Sequence, residues 1–199
     1  MKKVLLDAGH GGKDPGAQYA GYSEDDFNLE LALETGRILE RLLPFGSISY
    51  TRIMDKPVSL SARAAAIMDI NPDAFVSIHC NFQADDPSTF RDERKIAKGA
   101  EIFYRDAGDL LLAQAINKLI SRSDLWDEDR GIKQDLAWLG KRLTVLNDIP
   151  VPSVLIEVGF ISNDRDRDMI KDHVPGIADL IAHGILDFLG AQPESSEVA

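Results

Sequence analysis

The chain has almost no cysteine: Cys80 is alone among 199 residues, so an internal disulfide is excluded and cysteine usage says nothing of redox compartment. No apolar run approaches the length of a membrane span, which excludes insertion by a transmembrane helix. Clustered basic residues are also missing. The formal net charge is -11, and the one basic stretch, Arg91 to Lys98, is diluted by Asp92 and Glu93. Phosphate binding needs grouped Lys and Arg to release counterions, so nucleic acid is excluded as a partner. So acidic a chain is poorly placed to cling unaided to an anionic wall or membrane. A secretory signal is wanting too: Met1-Lys2-Lys3 followed by Val4-Leu5-Leu6 imitates one, but Asp7 ends the apolar stretch too early. The expectation is a mature or trimmed domain, or a protein that leaves the cell by another route.

What is present is ordinary globular material, 44% hydrophobic and 28% charged. Neither a repeat nor a linker divides it, so one domain is expected over residues 1–190. Residues 191–199 carry Pro-Glu-Ser-Ser-Glu, offer no apolar face and are expected to be a disordered tail. A monomer is expected.

Val4-Leu5-Leu6 reads as a buried strand running into a loop rich in glycine, with Gly11, Gly12 and Gly16. Ser23, with Asp26 three residues later, caps a predicted helix carrying Phe27, Leu31, Ile38 and Leu42 until Pro44 stops it. Ile48 to Arg52 reads as a strand. Leu60, Ala64, Ile67 and Met68 read as the apolar face of a helix closed by Asn71-Pro72. Ala74 to His79 is apolar enough for a central strand, whereas residues 83–98 read as an exposed polar excursion. Ala100 to Tyr104, Leu143 to Leu146 and Val154 to Val158 complete the strands; Leu110 to Ile120 and Val174 to Leu189 are helices. Strands alternating with helices predict an α/β fold: a mostly parallel central sheet of about six strands with helices on both faces.

The chemistry gathers around four residues. His10 follows the first strand and His79 ends the strand from Ala74, so both fall at the sheet edge where α/β proteins bind ligands. Glu24 opens the first long helix. Glu157 interrupts the apolar run Val154-Leu155-Ile156-Glu157-Val158, and a carboxylate buried there needs a cation, a metal or a chemical task. Two imidazoles and one carboxylate, with a fourth position open to water, make a catalytic zinc site, and a further carboxylate serves as general base. Plainer roles remain open from the residues alone. Either histidine could be a hydrogen-bonded loop residue, and Glu24 could answer a helix dipole. Glu157 could pair with Arg52 or Arg63, and the glycine loop could be a simple turn or a weak phosphate cradle. Asp7 could accept from a ligand imidazole. Lys13 and Asp14 could be further site residues or, as favoured for Lys13, could simply solvate the loop. His173 and His183 share no helical face, so they read as surface or packing residues.

Leu6-Asp7-Ala8-Gly9-His10-Gly11-Gly12-Lys13-Asp14-Pro15-Gly16-Ala17 closely resembles the opening motif of zinc-dependent N-acetylmuramoyl-L-alanine amidases of the Amidase_3 type. Ser23-Glu24 leading into Asn28-Leu29, Val76 to Asn81, and Pro152 to Asn163 resemble the same family in the same order. Weaker echoes are Thr51-Arg52 with Asp55, the Ser61-to-Ala66 stretch with Arg63, and Arg130-Gly131-Ile132-Lys133. The resemblance implies that His10, Glu24 and His79 bind Zn²⁺ and that Glu157 is the catalytic acid/base. It implies hydrolysis of the amide between the lactyl carbonyl of N-acetylmuramic acid and L-alanine of the peptidoglycan stem. Action would then be at the cell wall, in the periplasm or outside the cell, as a phage lysin, a secreted amidase or a domain recruited by an activator protein. Two departures are Cys80, where alanine is expected, and the length of the 83–98 excursion. Adjacent strand residues face opposite ways, so Cys80 is read as a small buried hydrophobe and not as a fourth ligand. The rival readings are a zinc peptidase or deacylase cutting another amide, and a wall-binding module without activity. A nucleotide binder is disfavoured, because the glycine loop lacks a Gly-Lys-Ser/Thr ending.

Overall fold

The computed structural model describes residues 1–84, 97–147 and 149–190; the 191–199 tail and most of the 83–98 excursion lie outside the described residues. Strand β1 (Val4–Ala8) is buried along its whole length, as an apolar run inside a sheet covered on both faces must be. A small hairpin, β2 (Gln18–Tyr19) and β3 (Tyr22–Ser23), leads into helix α1 (Glu24–Leu42). Leu43 leaves that helix in an extended conformation because Pro44 follows, and a residue before proline is pushed out of the helical region. Next come β4 (Ile48–Tyr50), α2 (Leu60–Ile70), β5 (Ala74–Asn81), β6 (Ala100–Tyr104), α3 (Ala107–Ile120), β7 (Asp129–Gln134) and α4 (Asp135–Leu139). The chain closes with β8 (Ser153–Phe160), α5 (Asp164–Asp172) and α6 (Val174–Leu189).

The main sheet has six strands in the order β4-β1-β5-β8-β6-β7. All its ladders are parallel except the one joining β6 to β8. Chain winding reverses at β1, with β4 on one side and β5 on the other, and ligands in such sheets bind beyond the strand ends at that point. One face carries the larger core, where Val4, Leu6, Val76, Ile78, Val154 and Ile156 meet apolar residues of α1, α3 and α6. The other face has a thinner cover: Leu5, Phe75, Phe103 and Leu155 meet Ile67 of α2, Val145, Leu146 and Ile149. Each buried side chain of this size stabilises the fold by roughly 1.5–3 kcal/mol. The mostly parallel six-stranded sheet with helices on both faces is the predicted architecture.

Its membership differs from the sequence reading in three places. Leu143 to Leu146 is not a strand: Thr144–Leu146 forms a short 3-10 turn that plugs Val145 and Leu146 into the thinner core. The sixth strand is β7, whose Asp129-Arg130-Gly131-Ile132-Lys133-Gln134 offers only Ile132 to the core and so carries no strand pattern. On α2 only Ile67 of the expected apolar face is turned inward. Leu60, Ala64 and Met68 are exposed, and the inward positions are Arg63 and Ile67. Ser23 does stand before α1, but its hydroxyl donates to the Asp26 carboxylate (2.9 Å) and accepts no cap bond.

Candidate active site

Immediately past β1 the chain enters the glycine loop, and two buried arginines staple it down. Arg52 donates to the carbonyls of Ala8 (3.0 Å), Gly9 (2.9 Å) and Asp25 (2.7 Å). Arg63 donates to the carbonyls of Ala8 (3.0 Å) and His10 (2.8 Å) and forms an ion pair with the wholly buried Asp7. These bonds hold His10 in the left-handed conformation, φ 60°, which costs an L-residue with a Cβ about 1–2 kcal/mol. The loop then folds on itself, Gly11 N–H donating to the Asp14 carbonyl (2.8 Å) and Asp14 N–H back to the Gly11 carbonyl (3.3 Å). Gly12 N–H is given to Asp55 and Gly16 N–H to Asp14, so these glycine amides are not free to cradle a phosphate.

Around this loop His10, Glu24 and His79 converge, their ligating atoms all within 4.8 Å of one another. Glu24 is the hub: His10 Nε2 lies 3.3 Å and His79 Nδ1 2.9 Å from Glu24 Oε1. Donors bound tetrahedrally to one zinc ion at its usual bond lengths sit about 3.3 Å apart, so this donor set fits Zn²⁺. The outer nitrogen of His10, Nδ1, meets the Asp14 carboxylate at 2.9 Å, the partner that fixes a ligand imidazole's tautomer. Glu24 also accepts from the backbone N–H of Ala17 (2.9 Å) and Cys80 (3.2 Å). Burial pushes the Glu24 carboxyl up, but hydrogen bonds from both imidazoles outweigh it and hold the group well below the usual carboxylate range. Reciprocally, the bond to Glu24 raises His10 to about 9 against its partial burial. Close packing depends on missing side chains. A Cβ on Gly9 would lie 2.3 Å from the His79 ring, and one on Gly16 would lie 2.5 Å from Glu24 Oε2.

Glu157 stands on β8 in register with His79 of the neighbouring β5. It is half-buried, and its Oε2 is fully buried with no hydrogen-bond partner. Burial raises its carboxyl to about 7, with the His79 charge opposing. A carboxylate near neutrality, unpaired and beside a metal-type donor set, has the properties of a proton carrier. Neither Arg52 nor Arg63 reaches it; both serve the loop. Cys80 points to the opposite face of the sheet, inside the larger core, and burial pushes its thiol well up.

Sequence reasoning placed these four residues near one sheet edge but missed the supporting groups. Asp7 does not serve an imidazole: it takes Thr51 Oγ1 (2.5 Å), Ser77 Oγ (2.7 Å) and Arg63, and Asp14 fills the role instead. Glu101 also went unnoticed. It is buried on β6 directly opposite Glu157 and accepts from Asn81 Nδ2 (2.7 Å), Arg130 Nε (2.7 Å) and Lys133. The available signal was a second carboxylate within an apolar run, Ala100-Glu101-Ile102-Phe103. His173 and His183 are exposed and away from the site.

An open α/β sheet that gathers two imidazoles and a carboxylate beyond its strand ends, next to an unpartnered second carboxylate, defines a candidate metallohydrolase. The N-acetylmuramoyl-L-alanine amidase model Amidase_3 matches residues 4–187, and the chain belongs to that family. It is 33% identical over 177 residues to the "Probable cell wall amidase LytH" of Staphylococcus aureus, a match covering 87% of this chain and 53% of the relative. The chain thus spans about half the length of the curated relatives it matches. Among solved structures it resembles the catalytic domain of CwlV, an N-acetylmuramoyl-L-alanine amidase from Bacillus (Paenibacillus) polymyxa var. colistinus. There the TM-score is 0.82 and the identity 29%, covering 96% of this chain and 100% of that one. It also resembles the CwlD amidase of Clostridioides difficile, solved in complex with the GerS lipoprotein, with TM-score 0.81 and 28% identity over 96% and 100% of the two chains.

Proposed function

We propose that this chain hydrolyses the amide joining the lactyl carbonyl of N-acetylmuramic acid to L-alanine in peptidoglycan, with His10, Glu24 and His79 holding Zn²⁺. The observation that carries the reading is Glu157: a carboxylate with a buried, unpartnered oxygen, adjacent in register to one of three converging metal-type donors. Membership of the amidase family supports the choice of substrate. Zinc held by these three residues would supply Lewis acidity toward a water and the amide carbonyl. Asp14 fixes the His10 imidazole through its outer nitrogen. Glu157, held near neutrality by burial, takes the proton of the attacking water and delivers it to the leaving nitrogen of L-alanine. Arg52 and Arg63 keep the loop that presents His10 from relaxing. The site of action is the cell wall, and the CwlD–GerS complex supports an activating partner protein.

Digestion of purified peptidoglycan by the zinc-loaded protein, read by mass spectrometry, tests this. The expected products are free stem peptides beginning at L-alanine, lost on chelation and restored by zinc. Cleavage within the stem instead would reassign the enzyme as a peptidase. Glu157→Gln is expected to abolish turnover with zinc still bound; near-normal turnover would remove Glu157 from the mechanism.

A further inference from the structure

Glu101 is linked through Lys133 to an aromatic side chain whose exposure is unexplained by the fold. Lys133, on β7, gives its ammonium to the Glu101 carboxylate and at the same time lies over the indole of Trp138, 4.3 Å from the ring centroid. Trp138 sits on α4, the five-residue helix that follows β7 directly. That helix is anchored by the wholly buried Asp135, which accepts from the backbone N–H of Leu136 (2.6 Å) and Leu143 (2.9 Å) and from Arg142 (3.0 Å). Its remaining surface is apolar and open to water: Trp138 is 61% exposed, between Leu136 and Leu139. The chain's other tryptophan, Trp126, behaves as the fold demands, buried with its N–H given to the Val158 carbonyl (2.6 Å).

These contacts form a continuous line: Glu157, Glu101 opposite it across the β8–β6 ladder, Lys133 bonded to Glu101, and Trp138 over Lys133. It runs from the proton-carrying carboxylate outward to solvent. We propose that Trp138 is the platform on which a sugar ring of the glycan strand rests while the adjacent amide is cut, with Glu101 and Lys133 as positioning residues that set the ring's orientation. The proposal rests on the function above. In that substrate the reacting carbonyl hangs from a pyranose through the lactyl ether, so a sugar must lie within a short reach of Glu157. A pyranose presents a face of C–H bonds, apolar and slightly positive, which matches the negative face of an indole. Lys133 occupies one face of the ring and holds it in place, leaving the opposite face to the sugar, so little side-chain freedom is lost when a sugar arrives. A fixed aromatic surface open to water, linked back to Glu157 through Lys133 and Glu101, discriminates glycan-linked stems from free peptides.

The test compares two substrates sharing one stem dipeptide: the N-acetylglucosaminyl-N-acetylmuramyl dipeptide, and the same dipeptide bearing only the lactyl group. Trp138→Ala is expected to raise KM for the disaccharide substrate about tenfold with kcat within twofold. For the lactyl substrate, wild type and variant should differ by less than twofold, and Trp138→Phe should restore most of the loss. Glu101→Gln should raise KM for the disaccharide substrate more than for the lactyl one. Equal changes for both substrates, or an unaltered KM, overturn the proposal and leave the amidase reading standing. If no amide is cut at all, that reading falls and calorimetry decides the platform by itself. Glu157→Gln protein should bind the disaccharide dipeptide about tenfold more tightly than Trp138→Ala/Glu157→Gln; equal binding, or none, overturns it.

Discussion

Replacing Arg63 by Met should show how much of this site is held by one buried guanidinium. Arg63 is 4% exposed and Asp7 fully buried, and their ion pair sits beneath the loop that carries His10. Met fills much of the same volume but leaves Asp7 with only the hydroxyls of Thr51 and Ser77, and the carbonyls of Ala8 and His10 without their guanidinium donor. Breaking a buried pair from one side costs about 3–5 kcal/mol, because the remaining charge stays uncompensated. For a chain of this size each kcal/mol lowers Tm by roughly 2–4 °C, giving an expected loss of about 6–20 °C. The measurement is thermal and urea unfolding in the presence of chelator, so that metal binding to the folded state adds nothing. Asp7→Asn removes the other partner, and Arg63→Met/Asp7→Asn removes both. The double variant should be less destabilised than the two singles summed, by at least about 1 kcal/mol. A loss below about 1 kcal/mol for Arg63→Met, or strict additivity, would refute the reasoning, since Asp7 would then be satisfied without its arginine.

Asp14→Ala removes the acceptor of His10 Nδ1 and should weaken zinc binding about 10–100-fold in competition with a chromogenic chelator; unchanged affinity would mean His10 is oriented by the loop alone. Gly9→Ala places a Cβ against the His79 ring, so zinc affinity should fall at least about tenfold, while far-ultraviolet circular dichroism reports a retained fold. Glu157→Gln has a pH signature in the metal-free protein. Burial raises this carboxyl from its ordinary value to about 7, so folding is penalised by its charge above that pH and no longer penalised below the unfolded value. The variant should therefore be more stable than wild type at pH 8, with the advantage fading as pH falls toward 4; a pH-independent difference would contradict the desolvation account.

The sequence by itself determined the α/β architecture and the neighbourhood of the site. Apolar runs such as Val4-Leu5-Leu6 and Val154-Leu155-Ile156 are strong signals because strands buried on both faces need them. His10 and His79 were legible for a related reason: each falls at the end of such a run, and parallel strands bring their ends to one edge. Glu157 stood out because a charge inside an apolar strand is costly without a task. Tertiary structure decided what local pattern does not encode. Edge strand β7 is polar because one side meets no further strand, so its sequence resembles a loop and only pairing with β6 makes it a strand. Thr144–Leu146 has the apolar content of a strand but no ladder to join, so it collapses into a turn that fills the thinner core. Helix α2 buries Arg63 and exposes Leu60 and Met68 because the loop carbonyls and Asp7 lie beneath it. Asp14 rather than Asp7 serves His10 for the same reason: Asp7 is consumed by a buried arginine 56 positions away, a contact set by packing and not by spacing.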